Sequence, residues 1–180
     1  KIEDFKGLPI RASGVAAQVL KLWHANPVGM PMPETPAALQ KGVVQGLFSS
    51  LEVLKDFKFA ELCKYATITN TVVYPFAVVM NMEKWNSLPK DIQKIMDDMR
   101  VEHSEWVGDY VDKHAEEAIV WSEEKQGVEF IKLSAQDEAK CNELVEPIIK
   151  KWLGEAKAKG LPGNEIISDI EKFAKSYGNK

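Results

Sequence analysis

The sequence predicts an α/β fold with a mostly parallel sheet, continued by a long helical second part. Three observations predict it. In the first half, short apolar runs bounded by Gly, Pro and Ser alternate with stretches whose apolar residues recur every three or four positions. In the second half, no proline falls between Pro89 and Pro147, and amphipathic helical patterns dominate. The composition, with 180 residues, 45% hydrophobic and 28% charged, suffices for one sizeable domain or two small lobes.

The elements follow in order. Residues 8–11 suit a strand, bounded by Gly7 and by Ser13-Gly14. Residues 15–25 form a helix with Val15, Val19, Leu22 and Trp23 on one face. Residues 27–32 are extended, because Pro27, Pro31 and Pro33 exclude helix. Pro36 and Gly42 bracket a short helix over 35–41. A brief buried strand at 43–46 leads to a helix over 50–62, with Leu51, Leu54, Phe57 and Leu62 inward. Residues 66–70 and 72–82 are strand-like, the second rich in Val, Phe and Tyr.

Ser87-Leu88-Pro89 then starts a helix. Ile92, Ile95, Met96, Met99, Trp106, Val107, Tyr110 and Val111 recur at helical spacing, which predicts one helix over 89–125. That is about ten turns, on the order of 50 Å at 1.5 Å per residue. Such a rod must span two lobes or reach a partner chain. A strand at 128–133 follows, and Ser134 to Asp137 resembles a capping box. The helix it opens has Cys141, Leu144, Val145, Ile148, Ile149, Trp152 and Leu153 on one face, and Pro147 kinks it or marks its true start. After a turn at 160–163, Ile166, Ile170 and Phe173 define a last helix.

Several function classes are excluded. The net charge is -4 with the signs interspersed, so the basic stripe of a nucleic-acid binder is missing. No stretch approaches the roughly 18 apolar residues of a membrane span. Cys63 and Cys141 form no CxxC and suit small buried hydrophobes, with a disulfide left open. His114 and Glu117 are three apart, but a third ligand on that face and an HExxH are both missing. Neither a metal nor a cofactor is implied.

Two places invite chemistry. In "GVVQGLFSSLEVL", Ser49 and Ser50 follow an apolar run and precede a helix. A nucleophile elbow would need a second glycine, yet Leu51 and Glu52 stand where small residues are wanted. A small serine-dependent hydrolase is thus the alternative, not the leading reading. A helix N-cap and a ligand contact both suit a serine there. Arg11 ends an apolar strand in "KGLPIRASG". At the carboxyl end of a strand it would face the crevice where α/β sheets bind ligands, and its planar fork suits a carboxylate. A surface salt bridge is the competing reading.

The segments "DFKGLPIRASG", "PVGMPMPETPAALQKGVVQG", "FAELCKYATITN" and "FAVVMNMEKWNSLPKDIQKIM", in this order, resemble the solute-binding proteins of tripartite ATP-independent periplasmic (TRAP) transporters, the DctP family. The resemblance covers nearly the whole chain. It implies a periplasmic-binding-protein-like fold of two α/β lobes closing on a ligand, with a long helix spanning both. It implies a non-enzymatic periplasmic receptor that binds an organic acid and delivers it to membrane permease subunits. It places a carboxylate clamp at Arg11, a pocket-lining side chain at Met32 and further contacts at Ser49 and Ser50. Tyr74 and Phe76 fall near a strand crossing between lobes. It divides the chain into a second-lobe α/β unit (1–75), a crossing segment with the long helix (76–116), and a return strand with C-terminal helices (117–180).

Two departures from the family pattern are informative. Many members carry Asp where Gln45 stands and a more polar run where Leu47–Ser50 stands. With Met32, Phe48, Tyr74 and Phe76 as pocket residues, the ligand is expected to join a hydrophobic or aromatic body to its carboxylate. Core packing is an equal reading for Phe48. Members also have a further N-terminal portion, so the chain is expected to be a C-terminal fragment. Exposed apolar surface costs roughly 25 cal/mol per Å². The fragment is therefore expected to dimerise, swap an element or sit beside its missing half.

Overall fold

The computed structural model describes residues 1–177. Strand β1 (Pro9–Arg11) lies between two parallel neighbours, β2 (Asn26–Val28) and β3 (Gly46–Leu47), in the order β2-β1-β3. Gly14, at φ +58°, turns the chain from β1 into helix α1 (Gly14–Leu22), a left-handed conformation that side chains disfavour. The helix buries Ala16, Val19, Leu20 and Trp23, spaced i, i+3, i+4, i+7. Two members of the predicted face fall outside this set: Val15 is exposed and Leu22 half-buried.

Trp23 anchors the first core. Its ring packs against Phe5 and Phe48, with centroids 5.2 and 5.5 Å away. Its indole N–H donates to the Cys141 carbonyl at 3.2 Å, tying α1 to α7 (Ala135–Ala158). Ser134 caps α7 by accepting from the Asp137 N–H, and the helix runs through Pro147, so the kink position does not mark its start. A second core holds Val53, Leu54, Phe59, Ala60 and Val128. It is covered by Leu47, Leu51, Met32 and Trp121, and it joins α3 (Val53–Asp56) to a two-stranded parallel sheet of β4 (Tyr65–Ile68) and β5 (Glu129–Lys132). The parallel α/β prediction holds, with the strands divided between two sheets. Between β2 and β3 lies α2 (Thr35–Gln40).

The helix predicted over 50–62 is not one helix. After α3, Lys58 takes a left-handed conformation (φ +56°) and a single 3-10 turn, Phe59–Glu61, follows. The reversal buries Phe59 completely and leaves Phe57 and Leu62 exposed. A continuous helix carrying Leu54 inward would have turned Phe59 away from the core.

The strand predicted over 72–82 is absent. These residues pair with no strand, and the segment ends at α4 (Met82–Ser87), capped by the Asn81 side chain. Val73, Phe76, Val78 and Val79 are 86–96% exposed. A strand exists only through its neighbours, and β propensity without a partner ladder leaves extended chain.

The long rod is present with one interruption. Helix α5 (Lys90–Asp98) and helix α6 (Arg100–Gln126) meet at Met99. Hydrogen bonds from Met99 N–H to Ile95 O (3.0 Å) and from His103 N–H to Met99 O (2.8 Å) carry the ladder across the junction. The predicted apolar stripe is there, but Ile95, Met99, Trp106 and Tyr110 are more than half exposed, and the two aromatic rings stack on each other and on the histidines of their own helix. Only Ala118 and Ser122 of α6 are buried. Helix α8 (Gly163–Tyr177) ends the described chain, with Ile166 half-buried and Ile170 and Phe173 exposed.

Candidate functional site

The strand order decides where the site lies. From β1 the chain crosses to β2 on one side and later returns to β3 on the other. The carboxyl end of β1 is therefore a switch point, where diverging connections leave a crevice. Parallel register sets Arg11 beside Val28 and Leu47, so the residues following all three strands emerge together. The Phe48 N–H donates to the Arg11 carbonyl at 2.9 Å, and the Ala12 N–H to the Val28 carbonyl at 3.2 Å.

Arg11 is 7% exposed. Its Nε and Nη2 both donate to the Met30 carbonyl, at 3.2 and 2.9 Å. Met30 precedes Pro31, which has no N–H, and its carbonyl lies just past β2. One edge of the guanidinium is thereby fixed. Among the described residues, Arg11 makes no salt bridge and no protein oxygen accepts from its Nη1. The surface ion-pair reading fails on both counts. The end of the fork that Met30 does not hold is open to solvent, since no side-chain nitrogen or oxygen among the described residues is both buried and without a partner, and it is available to a ligand that replaces that water.

Tyr74 is half-buried beside this arginine and donates its hydroxyl to the Phe48 carbonyl at 3.3 Å. Burial pushes its phenol above the ordinary value, Arg11 pulls it down and Glu52 pushes it up. It stays a neutral donor at physiological pH. Ser49 and Ser50 are half-buried on the loop after β3. Ser50 donates to Glu52 Oε1, so it does not cap α3, whose N-cap is Glu52.

The structure thus brings together Arg11, Phe48 and Tyr74, with Ser49 and Ser50 next along the wall. Phe48 also satisfies the core reading, since its ring lies on Trp23 while its backbone serves Arg11 and Tyr74. Met32 is not with them; it packs against the second core. Phe76 is 89% exposed on the unpaired segment. Two participants escaped the sequence reading. The Met30 carbonyl was signalled only by Pro31 after it, and Glu52 only by its place two residues beyond Ser50.

No imidazole serves either serine. His114 instead meets Asp56 at 2.8 Å, and His103 stacks on Trp106. The nucleophile–base pair that the hydrolase alternative requires is missing among the described residues. The same residues contain no cluster fit to hold a metal ion, and no helix is long and apolar enough to cross a membrane. Cys63 and Cys141 are free thiols, the latter fully buried. Two shallow grooves, of about 560 Å³ along α3 and α6 and about 440 Å³ at the turn between α7 and α8, lie away from Arg11.

At the carboxyl ends of the parallel strands, then, stands an arginine held along one edge by Met30, with no imidazole paired to the neighbouring serines among the described residues. The chain belongs to the DctP family, bacterial extracellular solute-binding protein family 7, whose sequence model matches residues 1–155. It is 28% identical over 148 residues to the C4-dicarboxylate-binding periplasmic protein DctP of Rhodobacter capsulatus, covering 81% of this chain and 44% of that protein. A TRAP periplasmic solute-binding protein of Desulfovibrio salexigens superposes with a TM-score of 0.88 at 48% identity, covering 99% of this chain and 56% of that one. In that crystal the C-terminus of a symmetry mate occupies the ligand-binding site. A TRAP periplasmic solute-binding protein of Bordetella bronchiseptica with bound (R)- and (S)-mandelate gives 0.84 at 28% identity, covering 98% of this chain and 57% of that one. The chain thus spans about half the length of these relatives.

Proposed function

We propose that this chain supplies one wall of a periplasmic receptor that captures an organic acid and delivers it to the membrane subunits of a TRAP transporter. The observation that carries the reading is Arg11, buried, held along one edge by Met30 and without a counter-ion among the described residues. A ligand carboxylate supplies that counter-ion and accepts from the free end of the fork, while the Tyr74 hydroxyl, Ser49 and Ser50 border it. The apolar surroundings, with Phe48 and Tyr74, favour a hydrophobic or aromatic body on the acid. Mandelate in the Bordetella relative has that form. Native mass spectrometry of protein purified under mild conditions should find a co-purified carboxylic acid, lost in Arg11→Ala. Protein that holds no acid and binds none from a panel of aliphatic and aromatic carboxylates would contradict the function.

The exposed apolar surface supports a further partner reading. Residues 73–80 and the stripe on α5 and α6 are covered in solution by another polypeptide body: a second copy, a swapped element, or a chain matching the remaining length of the relatives. Light scattering of the 20.2 kDa chain alone should show association or aggregation. A stable, monodisperse monomer would contradict this.

A further inference from the structure

Tyr74 stands where a strap of chain reaches the Arg11 wall. The strap, residues 69–74, leaves β4 beside the second core and ends on the first core. Thr69 is buried, and Asn70 reverses the chain in a left-handed conformation (φ +51°). Thr71 Oγ donates to the Thr69 carbonyl at 2.9 Å, and Asn70 Nδ2 donates to Glu138 Oε1 of α7 at 3.4 Å. Val72 and Tyr74 then pack on the first core while Val73 points out, the alternation of extended chain. From Pro75 to Lys84 every residue is exposed. Tyr74 is therefore the last point at which this segment is fastened before it leaves the core.

We infer that Tyr74 is a positioning residue: by its hydrogen bond to the Phe48 carbonyl, its hydroxyl holds the loop of Phe48, Ser49 and Ser50 against Arg11. The inference rests on the carboxylate-receptor reading above, which makes Arg11 and that loop the binding wall. Phe48 is engaged at both of its peptide groups. Its N–H donates to the Arg11 carbonyl at 2.9 Å and its C=O accepts from Tyr74 at 3.3 Å, while its ring lies on Trp23. Arg11 is thus tied twice, at its carbonyl by Phe48 and at its guanidinium by Met30. A phenol has one proton to give. While that proton serves Phe48 it is not available to a ligand, so Tyr74 shapes the wall instead of donating to the carboxylate. The same bond fastens the strap. The setting of the loop and the exit of the exposed segment are linked through one contact.

The test needs no ligand and uses the 180-residue chain as it stands. Arg11 and Arg100 are the only arginines in the sequence, so the lysine variant of each identifies its Nε–H in a nitrogen-15 spectrum. Tyr74→Phe keeps the ring and removes the hydroxyl. Loss of one neutral hydrogen bond eases local opening by about threefold to tenfold. Solvent exchange of the Arg11 Nε–H, and of the backbone amides of residues 48–50, should therefore rise by roughly threefold or more. Arg100 and the amides of residues 139–143 in α7 should stay within about twofold. A tyrosine that only fills the core through its ring would move neither Arg11 nor the loop. Backbone exchange is read by mass spectrometry, which tolerates an associated sample. Ser134→Ala, which deletes the cap of α7, is the control for general loosening and should leave Arg11 and residues 48–50 unchanged. A smaller rise at Arg11 or at the loop in Tyr74→Phe, an equal rise in α7, or the same response in Ser134→Ala would overturn the role of Tyr74. The receptor reading is decided separately, by the acid that co-purifies with wild type and is lost in Arg11→Ala.

Discussion

Replacing Arg11 by lysine keeps the positive charge and removes the fork. In the native site Nε and Nη2 are committed to the Met30 carbonyl, and the other end of the guanidinium is unpaired. A lysine ammonium is one compact donor centre, so it serves the Met30 carbonyl or the ligand, with poor geometry for both together. The loss is about one charge-assisted hydrogen bond, roughly 1.5–3 kcal/mol. At 1.4 kcal/mol per decade this weakens binding by about 10- to 150-fold. Isothermal titration with mandelate measures it, and circular dichroism and thermal melting establish that the fold is intact. Arg11→Met is the companion variant. It removes a buried charge that has no counter-ion, so ligand-free stability should fall by no more than about 1 kcal/mol although binding is lost. Affinity of Arg11→Lys within threefold of wild type, with an unchanged melt, would refute the bidentate role. A large stability loss in Arg11→Met would show the arginine to be structural.

Trp23→Ala removes the ring shared with Phe5 and Phe48 and the hydrogen bond to Cys141. Urea unfolding should show a loss of about 3–5 kcal/mol, and a loss under 1 kcal/mol would place the core elsewhere. Ser134→Ala deletes the cap of α7 and should cost about 1 kcal/mol in the same assay, with no change in ligand affinity. The raised phenol of Tyr74 gives a pH dependence. The neutral form is favoured in the folded state, so its contribution is complete below the ordinary phenol value of 10.0 and falls as pH rises from there through the folded pKa. Tyr74→Phe should flatten the alkaline decline in stability, whereas an identical decline in the variant would assign it to other groups.

Local pattern made part of the molecule legible. Gly7, Ser13 and Gly14 bounded β1, and Arg11 was placed at its end, where the structure has it. Ser134 announced α7, and the three- and four-residue steps announced the rod of α5 and α6. What stayed hidden depended on partners distant in sequence. Residues 72–82 have the composition of a strand, but no neighbour among the described residues completes a ladder. Two overlapping apolar stripes compete on α1, and the sheet selects the one containing Ala16. The break at Lys58 follows from the burial of Phe59, which no local propensity encodes. In the site, a backbone carbonyl such as that of Met30 carries no side-chain signature. Met32 and Phe76 came from the family pattern, and in this structure they lie apart from Arg11.

The most direct test of the account is a crystal structure with a bound aromatic acid such as mandelate. It should place one carboxylate oxygen about 2.7–2.9 Å from the free Nη end of Arg11, with Met30 still accepting from Nε. The ring should extend along the wall formed by Phe48 and Tyr74. An acid bound with its carboxylate on other residues, and Arg11 still held only by Met30, would contradict the central claim.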